Sequence, residues 1–333
     1  MAAQNNAPLP EGLEIAGYRI VKKIASGGFS IVYLAYDAEG SAVAIKEYLP
    51  SALALRQPGE LAPIIARPNQ PLFRIGLKCF FEEGRALARI NHPNVVRIVN
   101  FFRANDTVYM VMAYESGQSL QEQIARTREK NGGSANKGGL LGEGFIRKTF
   151  DGVCRGLRET HANKLLHLDL KPANIYLRSD GSPILLDFGA ARQAVGLDAP
   201  MLAPMYTPGF APPDLYVKGA PLGPWSDIYS LGAAMFACMT GSPPQAADAR
   251  KTDDKLGAQF DALAAGYSPE LIAMVRACLA LDPMGRPQSV FAVQKVLQAA
   301  PAQPLAAEPA ATAAPSGGLR GLLGRIGVLK RSD

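Results

Sequence analysis

The sequence predicts an α+β fold in two lobes, a small β-rich lobe followed by a larger α-helical one. Three observations carry this. From Tyr18 the chain runs through short apolar stretches of strand character separated by turn residues. Beyond Gly117 the apolar spacing changes to that of helices, interrupted by one short hairpin, as far as Ala299. The length of 333 residues is enough for a substantial core, and for two lobes plus a tail. Strands gathered ahead of helices leave two units of different class, with a cleft between them where a ligand can bind.

Taken in order, YRIVKKI, IVYLAYD and AVAIKEY read as an antiparallel sheet between Tyr18 and Tyr48, with Glu39-Gly40 as the turn before the third strand. Pro50 to Pro71 shows no clear period and is expected to be a long loop with at most one helical turn. KCFFEEGRALARI, from Lys78 to Ile90, has helical spacing, and VVRIVNFF and TVYMVMAY add two more strands. SLQEQIARTREK and FIRKTFDGVCRGLRETHAN are expected helices on either side of a flexible NGGSANKGG loop. NIYLRS and PILLDF form a hairpin about Asp180-Gly181, since Asp-Gly is a strong short-range turn signal. Helical patterns then cover Trp225 to Thr240, Asp254 to Ala265, Pro269 to Leu281 and Ser289 to Ala299.

Composition narrows the function classes. The net charge of +6 is spread along the chain, and no interleaving of aromatic and basic residues marks a nucleic-acid face. Cys79, Cys154, Cys238 and Cys278 are far apart and have no nearby His, which argues for free thiols and against a zinc knuckle or disulfide framework. MAAQNNAPLP lacks the basic start and apolar core of a signal peptide, and no run reaches the ~18 apolar residues of a membrane span. The expected location is the cytoplasm. Residues 299–316 read as an Ala/Pro-rich linker. Residues 317–333 follow as a basic amphipathic tail, with Leu319, Leu322, Leu323, Ile326 and Leu329 on one helical face. Such a tail can lie on an anionic membrane, here the inner membrane surface, or dock on a protein partner.

The chemistry is carried by short blocks. In KIASGGFSIVYLA, Gly27-Gly28 taken alone is more often an ordinary hairpin than a lid whose backbone N–H groups face phosphate. Lys46, at the end of VAIK on the following strand, is placed to reach phosphates if an acid holds its ammonium, and Glu82 and Glu83 on the next helix are available for that. HLDLKPANI then sets Asp169 beside Lys171 and Asn174, and DFG brings a second carboxylate, Asp187, at the end of the hairpin. A positioning group for an attacking hydroxyl, oxygen ligands for magnesium and cations near a transferring phosphoryl group are the inventory that phosphoryl transfer needs.

These blocks, together with NHPNVV, SPILLDFGAARQ, TPGFAPPD and SDIYSLG, make the sequence resemble the eukaryotic-like (Hanks-type) protein kinase family, in its bacterial serine/threonine branch. The resemblance implies a two-lobed protein-kinase-like fold over residues 18–298, with an N-lobe at 18–115, a C-lobe at 116–298 and residues 1–17 as an N-terminal extension. It implies ATP and Mg2+ as cofactors and protein Ser/Thr hydroxyls as substrate. Ile24, Ala25, Ser26, Gly27, Gly28, Phe29 and Ser30 would form the lid over ATP, with Val32 and Ala44 against the nucleotide. Lys46 would contact the α- and β-phosphates and pair with Glu83, preferred to Glu82 by its distance from His92-Pro93. Met112 would be the gatekeeper, and Ala113 to Glu115 the hinge that binds adenine through its backbone. Asp169 would be the catalytic base, Lys171 would stabilise the γ-phosphate, and Asn174 and Asp187 would hold the metal. Asp214 would pair with Arg286, and this pair and Asp227 would brace the helical lobe.

The sequence departs from the family pattern at two places. The lid pattern has glycine at Ala25, Gly27 and Ser30, and only Gly27 is present, which implies a stiffer lid and weaker nucleotide affinity. Leu168 stands where the family usually has an Arg that receives an activation-loop phosphate, and ARQAVGLDAPMLAPMY, from Ala191 to Tyr206, contains neither Ser nor Thr. Both point to a kinase not controlled by phosphorylation of that loop. A catalytically weak scaffold of the same fold is the alternative from the binding-module class. TPGFAPPD and SDIYSLG argue against a small-molecule kinase of related fold.

Overall fold

The computed structural model describes residues 6–132, 139–188 and 206–300. The tail, the linker from residue 301 and the segment 189–205 lie outside the described residues.

The first lobe is built on a sheet whose central strands are buried on both faces, Ala42–Tyr48 and Thr107–Ala113 at nearly every residue. Strands β1 (Glu14–Ile15), β2 (Tyr18–Ser26), β3 (Ser30–Tyr36), β4 (Ala42–Tyr48), β7 (Ile98–Ala104) and β8 (Thr107–Ala113) form one antiparallel sheet in the order β1-β2-β3-β4-β8-β7. The register pairs Val32 with Lys46 and Ala44 with Met112, so these four side chains share one face, the face over the cleft. On that same face Tyr48 packs on Phe73 and Phe80 of helix α1 (Gln70–Leu87) at centroid distances of 5.2 and 5.6 Å.

The stretch expected as a loop with at most one helical turn is largely that, with two short strands added. Two short strands, β5 (Ala54–Leu55) and β6 (Ile64–Ile65), pair with each other, a 3-10 turn follows at Arg67–Asn69, and α1 starts at Gln70 rather than Lys78. Pro71 does not stop this helix because it sits in the first turn, where its missing N–H has no intrahelical partner to lose.

A buried ion pair pins this insert to the sheet. Glu47 follows Lys46 on β4 and so points to the opposite face, where Arg56 donates to both carboxylate oxygens at 2.5 and 2.8 Å. Neither side chain of the pair is exposed to solvent. Tyr33 and Tyr109 donate to the same carboxylate at 2.7 and 2.8 Å. Burial, and then the charge of Glu47, push both phenols up, so they remain protonated donors. Arg56 also donates to the Ala7 carbonyl at 2.8 Å, and its backbone N–H donates to Asn6 Oδ1 at 2.7 Å. The described part of the expected N-terminal extension, residues 6–17, is thereby built into the first lobe, with Leu9 buried and β1 paired to β2.

The second lobe is helical. A capping box of Ser119 and Glu122 opens α2 (Leu120–Lys130), and α3 (Glu143–Ala162) packs on α8 (Val290–Gln298) and on the hairpin of β10 (Ile175–Arg178) and β11 (Pro183–Leu185). The central element is α4 (Pro224–Thr240), buried at every residue from Ser226 to Met239. Around it stand α5 (Ala247–Arg250), α6 (Leu256–Leu263) and α7 (Pro269–Cys278). A short strand, β9 (Gly117–Ser119), joins β10 just after the chain crosses between lobes. A Cβ at Gly117 would stand 2.0 Å from the Leu177 carbonyl oxygen, so only glycine permits that approach. All four cysteines are free thiols. Among the described residues no helix is long and apolar enough to cross a membrane.

Removing one partner of a fully buried pair leaves the other charge uncompensated, whereas replacing both is far milder. Arg56→Met is expected to lower the unfolding free energy by about 3–5 kcal/mol. The double variant Glu47→Gln/Arg56→Met should recover part of that loss. Urea unfolding measures both, and a single variant as stable as the parent would contradict the role given to the pair.

Candidate active site

The site is assembled on Asp227, a carboxylate with no solvent exposure on α4. Its Oδ2 accepts from the backbone N–H of His167 and from His161 Nε2, each at 2.8 Å, and its Oδ1 accepts from the backbone N–H of Leu168 at 2.8 Å. Burial by itself would raise this group's pKa. The hydrogen bond from His161, with the charges and N–H of its neighbours, outweighs burial and holds the carboxyl below its ordinary value. Leu168 is held at φ +58°, a region bulky residues avoid, and Asp187 stands at φ +52°. Such conformations persist only where the surroundings over-determine them. At Leu168 the restraint is Asp227.

The turn made this way presents Asp169. Lys171 Nζ lies 3.1 and 3.0 Å from its two carboxylate oxygens and donates to Thr207 Oγ1 at 3.0 Å. Asn174 Nδ2 donates to the carbonyl and to Oδ2 of Asp169, both at 2.8 Å, and reaches the Asp187 carbonyl at 3.4 Å. From the other lobe, Lys46 Nζ forms an ion pair with Asp187 Oδ1 at 2.9 Å. The structure thus brings Lys46, Asp169, Lys171, Asn174 and Asp187 into one constellation at the meeting of the lobes. Glu83, the expected acid partner of Lys46, is buried on α1 one turn from Phe80, whose ring centroid is 5.6 Å from Lys46 Nζ.

In the first lobe, residues 27–29 link β2 and β3. Gly27 donates to the Ser30 carbonyl at 2.9 Å, while Leu49 and Ser51 donate to the carbonyls of Phe29 and Gly28 at 2.8 and 2.9 Å. A Cβ at Gly27 or Gly28 would meet no atom within 4 Å, so packing within the chain does not call for glycine at either position. Ala25 is paired with Val32 inside the β2–β3 ladder, and Ser30 opens β3, so neither flank occupies a turn that demands glycine. Ile24 is exposed beside them.

Met112 is buried at the end of β8, and Ala113 donates to the Arg97 carbonyl at 3.0 Å. Glu115 then forms a two-bond ion pair with Arg178 of β10. Arg286 holds Asp214 through two bonds of 2.9 Å, and Ser226 donates to Asp214 at 2.8 Å. This pair is buried and belongs to the helical lobe.

Sequence reading did not find His161, Arg178 or the Glu47–Arg56 network. His161 and Arg178 lie in segments read only for their secondary structure. A charged residue at an inward position of an apolar strand, as at Glu47, is the one signal that was available.

Residues 18–299 match the family described as protein kinase domain, and the chain belongs to the protein kinase family. It is 29% identical over 301 residues to the serine/threonine-protein kinase PknK of Mycobacterium tuberculosis, covering 87% of this chain and 24% of that protein. It is 26% identical over 280 residues to PknA of Nostoc sp., covering 81% of this chain and 44% of that protein. The chain therefore spans about a quarter of the length of PknK. Among solved structures, PpkA-294 in its apo form superposes with a TM-score of 0.77 at 34% identity, over 87% of this chain and 99% of that one. The PknI kinase domain of Mycobacterium tuberculosis shares the fold, with a TM-score of 0.60 at 20% identity, over 87% of this chain and 98% of that one.

The site carries a pH dependence. His167 is fully buried and stacks on Phe188 at 4.4 Å. Burial lowers its pKa, and the nearby carboxylates of Asp227, Asp169 and Asp187 only partly oppose this. As the folded value lies below the unfolded value of about 6.5, the unfolded chain takes up the proton first as pH falls. His167 therefore contributes its full stability above about pH 6.5 and loses it as pH drops toward the depressed native value. His92 shifts in the same direction, again through burial. The urea midpoint is expected to fall between about pH 7.5 and about pH 5.5. His167→Asn should show a smaller fall, and identical pH profiles for the two proteins would contradict this account.

Proposed function

We propose that this domain is a serine/threonine protein kinase, transferring the γ-phosphoryl group of ATP to Ser or Thr hydroxyls of protein substrates. The observation that carries the reading is the juxtaposition of Asp169, Lys171 and Thr207 with Asn174 and the Lys46–Asp187 pair. Membership of the protein kinase family supports it.

In this reading the substrate hydroxyl hydrogen-bonds to Asp169, which is oriented by Asn174 and Lys171. Its oxygen attacks the γ-phosphorus as the bond to the β–γ bridging oxygen breaks. The hydroxyl proton passes to Asp169, and ADP leaves. Lys171 offsets charge on the transferring group, and Lys46 meets the α- and β-phosphates. Ala113 to Glu115 hold adenine through backbone groups, under the sheet face of Val32, Ala44 and Met112. The open space over Gly27 and Gly28 lets phosphates come close to their backbone.

The donor set fits magnesium. Asp187 offers carboxylate oxygens, and the Asn174 amide nitrogen is committed to Asp169, which leaves its oxygen as the ligand atom. Magnesium is typically held by one or two such oxygens plus phosphate and water. When bound, Mg2+ supplies neutralisation of charge on the phosphate oxygens.

With labelled ATP, Mg2+ and a generic protein substrate, the intact chain is expected to label the substrate. Asp169→Asn should lower the rate by about 10²–10⁴-fold. Lys46→Met should also lower it, with circular dichroism unchanged in both. Nucleotide binding without transfer by the intact chain would favour the scaffold reading that Ala25 and Ser30 suggest.

The finer part of the proposal is that activity does not depend on phosphorylating residues 191–206. It rests on Leu168 in place of the usual Arg and on the absence of Ser and Thr between Ala191 and Tyr206. Thr207, the next hydroxyl, is engaged by Lys171. Phosphatase-treated protein should keep its initial rate within about twofold. Loss of activity restored by modification of Tyr206 or Thr207 would refute this.

A further inference from the structure

Arg178 ends β10 on the second lobe, yet its guanidinium reaches two other segments. Nε and one terminal nitrogen donate to Glu115 Oε2 and Oε1 at 2.8 and 2.9 Å, and the other terminal nitrogen donates to the Pro93 carbonyl at 2.7 Å. Glu115 follows the last strand of the first lobe. Pro93 lies in the loop that leads from α1 to β7. Arg178 itself belongs to the hairpin beyond Asn174.

Each of these segments is fastened again nearby. Ser179 donates to the Ser116 carbonyl from both its backbone N–H, at 3.0 Å, and its hydroxyl, at 3.2 Å. Asn94 Nδ2 donates to the Pro183 carbonyl at 2.6 Å, and Leu185 donates to the Asn94 carbonyl at 2.9 Å. Arg178 is the only described side chain that hydrogen-bonds to both Glu115 and the loop after α1. The hydrogen bond to Glu115, then the Coulomb attraction between them, holds its guanidinium firmly charged against the opposing effect of burial. A planar fork with five N–H donors can grip a carboxylate with two bonds and a carbonyl with a third. A lysine ammonium cannot reproduce that arrangement.

We propose that Arg178 is a positioning residue of the nucleotide site: through Glu115 it fixes the crossing segment, and through Pro93 it ties that segment to the exit of the helix bearing Glu83. This rests on the kinase reading, in which the backbone at Ala113 to Glu115 binds adenine. A side chain that holds the crossing segment acts on the bound ground state and on the transition state alike. Its loss therefore appears in KM for ATP and in nucleotide affinity, with kcat largely kept. It touches neither the reacting atoms nor Asp169.

The test measures ADP binding by calorimetry, together with KM and kcat for ATP and the thermal midpoint, on the full chain. The proteins are the parent, Arg178→Ala, Arg178→Lys, Glu115→Ala and the double Arg178→Ala/Glu115→Ala. A control, Arg155→Ala, removes a different surface ion pair, that with Asp151 on α3. Arg178→Ala is expected to raise KM for ATP and the ADP dissociation constant about five- to tenfold, with kcat within about twofold. Arg178→Lys should not restore binding, and the double variant should fall short of the product of the two single effects. The inference is overturned if Arg178→Ala binds ADP as the parent does, if Arg155→Ala weakens binding equally, or if the two single effects multiply. A parent chain that binds no ADP overturns the kinase reading itself, and that outcome is distinct from the others.

Discussion

The site depends on one buried carboxylate. Asp227 accepts from two consecutive backbone N–H groups and from His161, and has no contact with solvent. A turn that places Leu168 at positive φ is unfavourable by itself, by about 1–3 kcal/mol. The hydrogen bonds to a charged acceptor offset this and leave Asp169 aimed at the cleft. The rest follows from that placement. Lys171 and Asn174 can meet Asp169 only while the turn holds, and Asn174 in turn approaches the Asp187 carbonyl. Asp227 is anchored in α4, which is buried from Ser226 to Met239, so the turn is tied to the interior of the helical lobe.

The first lobe uses the same device on another scale. Adjacent residues of β4 face opposite ways, and both are charged. Lys46 enters the cleft, and Glu47 enters a dry space closed by Arg56, Tyr33 and Tyr109. The insert between β4 and α1 and the N-terminal residues meet at Arg56, so the strand carrying Lys46 is covered on its outer side. The backbone of residues 28–29 is fastened to Leu49 and Ser51 at the start of the same insert. Two segments that read as peripheral in the sequence thus support the two parts of the cleft that face the phosphates in the proposed function.

Much of the fold was legible because the local signals agreed with the final structure. The expected strands at 18–24, 31–37 and 42–48 lie within two residues of β2, β3 and β4, since short runs rich in Val, Ile and Tyr bounded by turn residues are a strong strand signal. Trp225 to Thr240 is α4 almost to the residue. Pro50 to Pro71 is largely the loop with one helical turn that was expected, and the two short strands and the early start of α1 at Gln70 escaped notice because their order is not periodic. The stretch is stabilised by Arg56 reaching residues far away in sequence, and Pro71 looked like a barrier although it lies in a first turn. Strand β9 was also missed. Three residues with a glycine carry no strand signal, and the pairing exists because Gly117 lets two backbones approach closely.

The sequence by itself determined which chemical groups this protein has and in what order. HLDLKPANI puts a carboxylate, a lysine and an asparagine close together along the chain whatever the fold, and DFG follows with a second carboxylate. It also determined what is lacking: the Arg at Leu168, and a Ser or Thr from Ala191 to Tyr206. Only the tertiary structure decided which charges meet. Lys46 with Asp187, Glu47 with Arg56, Asp227 with the turn at His167 and Arg178 with Glu115 and Pro93 are contacts between separate segments. Charge and hydrogen-bond capacity are properties of single residues. The distance that turns them into an interaction exists only once the chain has folded.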